Sequence, residues 1–233
     1  MNSSASERNR LQSNLSEVKE RIQAGCDTAH RPAQSVTLLA VSKTFPAESV
    51  ALLADIGQTD FGENYVQEGV EKITTLKQLG LNGLTWHFIG PLQSNKTRPV
   101  AEHFDWVHTV EREKIAQRLS EQRPAALAPL NICVQVKLSQ EESKSGVAPE
   151  ALEQLLATVT ALPHLKLRGL MTLPEPGTQA EAFAQLKALF DEMRTRYPDM
   201  DTLSMGMSAD LETAIAHGST CVRIGSALFG ART

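Results

Sequence analysis

The chain has 233 residues, of which 41% are hydrophobic and 21% charged, an ordinary globular composition for one large α/β domain. The formal net charge of -4 gives no basic surface, which argues against nucleic acid or an anionic membrane as a partner. No apolar run is long enough to span a bilayer. The polar N-terminus lacks the apolar core of a signal peptide.

The cysteines and histidines indicate a reducing compartment and no metal. Cys26, Cys133 and Cys221 are scattered and odd in number, which favours free thiols in the cytoplasm over disulfides or a zinc site. The six histidines show no metal-ligand spacing. We therefore expect a cytoplasmic protein without a metal centre.

A helix over residues 5–25 comes first in the chain. Its apolar residues recur every three or four positions, as in an amphipathic helix. Gly25 is predicted to end the helix. Residues 1–8 are expected to form a disordered tail. The apolar stripe consists of Leu11, Leu15, Val18 and Ile22.

Strand-like and helix-like segments then alternate to the end of the chain. This alternation predicts a single domain over residues 1–233, an α/β (β/α)8 barrel of the TIM type with an extra N-terminal helix. An open doubly wound sheet is the rival, but the turn after the first strand, SKTFP, has no glycine-rich fingerprint. The predicted strands are 36–43, 60–64, 85–90, 105–110, 131–138, 166–173, 202–208 and 221–225.

Lys43 stands at the carboxyl end of the first predicted strand, where Pro46 soon ends the extended segment. Ligands bind at the carboxyl ends of strands in α/β barrels, so Lys43 is a candidate functional residue. The alternative is a rim lysine whose amine reaches water. On the barrel hypothesis, Asn64, His87, Ser208 and Arg223 converge on the same face.

The segments after strands 7 and 8 have the composition of a phosphate site, which many barrels hold at this position. Ser208 precedes a predicted helix and Gly225-Ser226 opens another, so backbone N–H groups and hydroxyls would face an anion. Each serine, taken alone, is more typical of a helix cap than of a phosphate site.

A lysine facing a phosphate site suggests a phosphorylated aldehyde held as a Schiff base. Arg223 would lower the pKa of Lys43 and, facing a pyridine nitrogen, would keep that nitrogen unprotonated. The alternative for Arg223 is an ion pair with Asp210 or Glu212.

Seven motifs together resemble the YggS/PROSC family of pyridoxal phosphate homeostasis proteins, over nearly the whole chain and in the family's order. That family is similar in fold to the barrel domain of alanine racemase. The motifs are LLAVSKT (38–44), FGENYVQEG (61–69), WHFIGPLQSNK (86–96), SKSG (143–146), RGLM (168–171), SMGMSAD (204–210) and VRIGSALFG (222–230).

The resemblance implies a pyridoxal 5'-phosphate aldimine on Lys43 and Arg223 at the pyridine nitrogen. It also implies phosphate contacts from Ser208, Gly225 and Ser226. Asn64 and His87 lie in matching motifs, and for His87 a barrel-filling role competes with cofactor binding. These positions form the predicted cofactor site: Lys43, Asn64, His87, Ser208, Arg223, Gly225 and Ser226.

One position departs from the family, because several members carry a second lysine where this chain has Phe45. Transfer of the cofactor between neighbouring lysines is therefore in doubt here. Lys144, in a loop predicted on the same face, is a candidate for a second and weaker cofactor site, against the alternative of a solvated loop lysine.

Three functions remain open. The resemblance favours a non-catalytic carrier that buffers pyridoxal phosphate, supports vitamin B6 and amino-acid homeostasis, and transiently contacts apo-enzymes as a monomer. The alternatives are an amino-acid racemase and an aldolase that uses Lys43 without a cofactor. We expect no efficient racemase, because the separate domain that carries a second base in alanine racemases has no counterpart here. Tyr65 and Tyr197 are the only tyrosines.

Overall fold

Eight parallel strands close into a barrel in sequence order, each pairing with the next and β8 with β1. The computed structural model describes residues 2–139 and 145–230, with side chains from residue 5. The predicted (β/α)8 barrel is confirmed. The strands are β1 (Thr37–Val41), β2 (Asp60–Glu63), β3 (Thr85–Phe88), β4 (Trp106–Val110), β5 (Leu130–Gln135), β6 (Leu165–Met171), β7 (Thr202–Ser204) and β8 (Cys221–Ile224).

Helices follow the strands and cover the outside of the barrel, as parallel sheets require. The helices are α1 (Asn2–Thr28), α2 (Ala47–Asp55), α3 (Val66–Gln78), α4 (Thr97–His103), α5 (Glu113–Gln122), α6 (Pro149–Ala161), α7 (Gln179–Arg194), α8 (Leu211–Ala216) and α9 (Ser226–Phe229). No helix in the described part of the chain is long and apolar enough to cross a membrane.

Several strands end earlier than the sequence predicts. Strand β1 ends at Val41 rather than residue 43, and β7 ends at Ser204 rather than residue 208. Thr44 has a φ of 68° and Gly206 a φ of 96°, so the backbone leaves the extended conformation beyond both strand ends. The segments after the strands are therefore turns that carry site residues around the carboxyl rim.

Helix α1 begins at Asn2 and includes most of the segment for which a disordered tail was predicted. Arg8 forms an ion pair with Asp55 of α2 at 2.7 Å, and Arg10 donates to the carbonyl oxygen of Phe229 at 2.9 Å. These contacts fasten the first turns of the helix to the barrel. The buried stripe of α1 is Leu11, Leu15, Val18, Ile22 and Cys26.

Candidate functional site

An open cavity of about 580 Å³ lies at the carboxyl end of the barrel. Its size is within the usual range for small-molecule sites, which is roughly 300–1,000 Å³. Six of the seven predicted site residues line it, and His87 does not. The lining is Val41, Lys43, Asn64, Ile89, Leu173, Met207, Ser208, Ala209, Arg223, Gly225 and Ser226.

Lys43 lies two residues beyond β1, and its chain neighbours are both held by hydrogen bonds. The Ser42 hydroxyl donates to Oε1 of Glu63 at 2.5 Å, and the Thr44 N–H donates to Oε1 of Glu68 at 2.5 Å. Thr44 has a positive φ, which is rare and strained for a β-branched residue. The backbone around Lys43 is therefore fixed from both sides.

A buried lysine of α3 connects these contacts. Lys72 Nζ donates to the Ser42 carbonyl oxygen at 2.8 Å, to Glu63 Oε1 at 2.6 Å and to Glu68 Oε1 at 3.1 Å. Lys72 is 5% exposed and Glu63 is fully buried. Burial raises the pKa of the Glu63 carboxyl, although the Lys72 charge opposes that rise.

Sequence reasoning missed this cluster. The four-residue spacing of Glu68 and Lys72 indicated a helical ion pair, which is ordinarily a surface feature. Glu63 belongs to a strand, and its pairing with Lys72 depends on how α3 packs against β2.

Arg223 is buried in β8 and donates to two neighbours. Its Nη1 lies 2.8 Å from Ser204 Oγ and its Nη2 lies 3.0 Å from the Thr172 carbonyl oxygen. Burial lowers the pKa of the Arg223 guanidinium, which nevertheless stays charged because arginine starts so high.

The predicted alternative for Arg223, an ion pair with Asp210 or Glu212, is not present among the described residues. Glu212 pairs with Arg21 of α1 at 2.7 Å, and Asp210 Oδ1 accepts from the Met207 N–H at 2.5 Å. The charge of Asp210 still raises the pKa of the Arg223 guanidinium, against the larger effect of burial.

Ser208 and Ser226 bring two hydroxyl groups together at the mouth, with their Oγ atoms 3.5 Å apart. Gly225 directly precedes α9, as predicted. Ser208 does not directly precede α8, because that helix begins at Leu211 after a turn. The two hydroxyls can donate to a shared anion from the segments after β7 and β8.

Asn64 follows β2 in the cavity wall, and its Oδ1 is buried without a hydrogen-bond partner in the described structure. A buried amide oxygen without a partner costs roughly 1–3 kcal/mol. A polar ligand group at this position would remove the cost.

His87 lies inside the barrel, away from the cavity lining. It is 3% exposed, its Nε2 is 3.1 Å from Asp60 Oδ1, and its Nδ1 is 2.9 Å from His108 Nε2. Its ring stacks on Trp106. This geometry fits the barrel-filling alternative for His87, and cofactor contact by this residue stays a prediction. The other predicted amine, Lys144, falls outside the described residues.

Metal binding has no support in the described structure. No group of three or more His, Cys, Asp or Glu among residues 2–139 and 145–230 is arranged to hold a metal ion. The three cysteines are buried with free thiols, and burial raises the pKa of Cys221 to about 12. The functional groups of the cavity are thus an amine, a guanidinium, an amide and hydroxyls.

Comparison with known proteins identifies the family. Residues 9–233 match the model of the alanine racemase N-terminal domain. The pyridoxal phosphate homeostasis protein of Escherichia coli K12 is 54% identical over 228 residues, covering 96% of this chain and 97% of the relative. The protein of that name in Pseudomonas aeruginosa PAO1 is 56% identical over 223 residues, covering 94% of each.

A solved structure supports the same assignment. PipY of Synechococcus elongatus PCC7942, determined with PLP bound, superposes with a TM-score of 0.81 at 36% identity, covering 94% of this chain and all of that chain. The curated relatives are named homeostasis proteins rather than enzymes. The chain therefore belongs to the family of pyridoxal phosphate homeostasis proteins, built on the alanine racemase-type barrel.

Proposed function

We propose that this protein binds pyridoxal 5'-phosphate (PLP) covalently through Lys43 and acts as a non-catalytic carrier that buffers the cofactor. The observation that carries the proposal is the single cavity that gathers the Lys43 amine, the Arg223 guanidinium and the hydroxyls of Ser208 and Ser226. The 36% identical PipY, solved with PLP bound, supports the choice of ligand.

The residues fit the chemistry of this cofactor. PLP supplies an aldehyde, and the neutral amine of Lys43 condenses with it to form a C=N bond and release one water. Ser208, Ser226 and the backbone at Gly225 hold the phosphate. The unpartnered Asn64 amide meets a polar group of the ligand.

Arg223 favours storage over catalysis. Its guanidinium only donates hydrogen bonds, so a ring nitrogen facing it stays an unprotonated acceptor. The pyridine ring of PLP then withdraws electrons only weakly. The protein controls this property through the residue that faces the ring nitrogen. This role for Arg223 supports a carrier, since a weakly withdrawing ring gives little stabilisation to negative charge on a bound substrate.

The cellular role follows from the carrier function. We propose that the protein acts as a cytoplasmic monomer that passes PLP to apo-enzymes by transient contact and so supports vitamin B6 and amino-acid homeostasis. The curated relatives carry homeostasis in their names. The buried free thiols of Cys26, Cys133 and Cys221 suit a reducing compartment.

The decisive experiment is Lys43→Ala, purified without added cofactor. We expect the folded variant to lack the visible absorption of lysine-bound PLP and to yield no cofactor-labelled peptide after borohydride reduction and mass mapping. Lys114→Ala, at an exposed position of α5, serves as the control and should match the wild type. Full absorption in Lys43→Ala, with the label on another lysine, would show that the attachment site is elsewhere.

Two alternatives are separated by the same preparation. An aldolase lysine that works without a cofactor leaves the wild-type protein colourless, whereas bound PLP makes it yellow. A racemase is favoured by one observation, the match to the alanine racemase N-terminal domain. Chiral analysis of amino acids incubated with PLP-saturated protein decides between racemase and carrier.

A further inference from the structure

Beneath the cavity, five side chains form a continuous row of hydrogen-bonded groups, here called the relay. Arg223 Nη1 lies 2.8 Å from Ser204 Oγ, which lies 2.8 Å from His108 Nδ1. His108 Nε2 lies 2.9 Å from His87 Nδ1, and His87 Nε2 lies 3.1 Å from Asp60 Oδ1. Four of the five residues are less than 5% exposed, and the side chain of Asp60 is 26% exposed.

The two ends of the relay determine which group donates and which accepts in each of its hydrogen bonds. A guanidinium can only donate, and an ionised carboxylate can only accept. Ser204 therefore accepts from Arg223 and donates its own proton to His108 Nδ1. His108 Nε2–H then donates to His87 Nδ1, and His87 Nε2–H donates to Asp60. Every hydrogen bond is satisfied with both histidines neutral and in the same tautomer.

The opposite direction requires an additional proton. If His108 carried its proton on Nδ1, its Nε2 would accept from His87 Nδ1–H. His87 Nε2 would then need a proton of its own to meet the Asp60 carboxylate, which makes His87 a cation. A neutral interior therefore selects one tautomer of His108.

The surroundings disfavour a charge on His108. Burial lowers the pKa of His108, and the charges of a protonated His87 and of Arg223 act in the same direction. Burial raises the pKa of Asp60, but hydrogen bonds from His87 and Thr59 and the charge of a protonated His87 together lower it by more, so this end remains an acceptor.

Other titratable and charged groups reach the relay from neighbouring strands. The Arg168 guanidinium lies 4.5 Å from the centroid of Trp106, whose ring stacks on His87. The thiols of Cys133 and Cys221 lie near Arg223, and burial raises the pKa of both, so both are uncharged. Cys221 also contacts Ser204, but a thiol is only a weak hydrogen-bond partner.

We propose that the relay is a positioning device: its members from Asp60 to Ser204 hold the guanidinium of Arg223 in place at the cavity. The buried hydroxyl of Ser204 accepts from Nη1 of the guanidinium, and the Thr172 carbonyl oxygen accepts from Nη2. The inference rests on the proposed function in one respect, that PLP is the ligand that Arg223 meets. The direction of the relay does not depend on the cofactor.

The first test reads the histidine tautomers directly. Nitrogen-15 NMR of the protein without PLP, at about pH 8 and so above the ordinary histidine pKa, should show His87 and His108 as neutral Nε2–H tautomers. Assignment comes from backbone-to-side-chain correlations. His103 and His217 are internal controls, because each places Nδ1 within 3.0 Å of a backbone carbonyl and should show Nδ1–H. An Nδ1–H proton on His108 would overturn the proposed direction.

The second test cuts the relay at Ser204. Ser204→Ala removes the link to Arg223 without altering either the guanidinium or Lys43, and we expect PLP affinity to fall about tenfold, as for loss of a charge-assisted hydrogen bond. We also expect a shifted absorption maximum of the bound cofactor. Ser204→Thr keeps the hydroxyl and should restore both properties.

The outcomes separate the two proposals. A wild-type protein that takes up no PLP at Lys43 contradicts the proposed function, while the NMR result still decides the direction of the relay. Wild-type binding with unchanged affinity and absorption in Ser204→Ala contradicts the positioning role. If Ser204→Ala does not fold, Ser204→Cys replaces it. A thiol has a similar shape but is only a weak hydrogen-bond acceptor, so the same fall in affinity and the same shift in absorption are expected, and their absence would contradict the positioning role.

Discussion

Arg223 and Ser208 line the same cavity at different depths. The guanidinium of Arg223 is buried and held by Ser204 and Thr172. Ser208 is partly exposed, and its hydroxyl lies 3.5 Å from that of Ser226. In the proposed function, both residues contribute affinity, and only Lys43 forms a covalent bond.

We predict that Ser208→Ala and Arg223→Ala each weaken PLP binding by about one to two powers of ten. A hydrogen bond to a charged group is worth roughly 1.5–3 kcal/mol, which corresponds to that range. The measurement is a titration of the apo-protein with PLP. Ser13→Ala, at an exposed position of α1, is the control. Unchanged affinity in either variant would remove that residue from the site.

At the scale of secondary-structure elements, the position of Lys43 depends on the packing of α3 against β2. Lys72 of α3 contacts the buried carboxylate of Glu63 and the carbonyl of Ser42, while Glu68 accepts from the Thr44 N–H. Helix α3 thus holds the turn after β1 through charged groups, of which Lys72 is buried and Glu68 is partly exposed.

We predict that Lys72→Met lowers the free energy of unfolding by about 3–5 kcal/mol, because it leaves the Glu63 carboxylate buried without its cation. Urea unfolding measures the change. The double variant Glu63→Gln with Lys72→Met should regain much of the loss, since it removes the unpaired charge. If the Lys72→Met variant is as stable as the wild type, water rather than Lys72 stabilises the charge of the Glu63 carboxylate.

At the scale of the whole molecule, the barrel determines which groups can act together. Tyr65 is 55% exposed and lines a neighbouring groove with Pro91 and Lys96, while Tyr197 packs against the core outside the barrel. Neither tyrosine belongs to the lining of the cavity that contains Lys43. Racemisation needs a base on each face of the reacting carbon, so the described cavity provides one base, Lys43.

We therefore predict no racemisation of L-amino acids at about 1 s⁻¹ or faster, the lower end of ordinary enzyme rates. General acid–base assistance typically increases a reaction rate about 10²–10⁴-fold. A site that lacks the second base should therefore racemise amino acids only slowly. PLP-saturated protein and an amino-acid panel, analysed by chiral chromatography, measure this rate. A fast reaction that Lys43→Ala abolishes would replace the carrier with an enzyme.

The pattern of residues along the chain predicts the barrel and most of the residues at its carboxyl rim. Alternating strand and helix patterns are local, and in a parallel barrel every strand ends at the same face. Lys43, Asn64, Ser208, Arg223 and the Gly225-Ser226 turn therefore share one cavity, as their positions after strands predict.

The pairing of the buried polar groups depends on contacts between distant parts of the chain. His108 and Ser204 are 96 residues apart and Arg223 and Thr172 are 51 apart, so no local spacing indicates either contact. His87 has the sequence context of a site residue, yet its ring faces Asp60 and His108 inside the barrel. Strand register and barrel closure set these contacts, because they determine which inward-facing side chains meet in one layer.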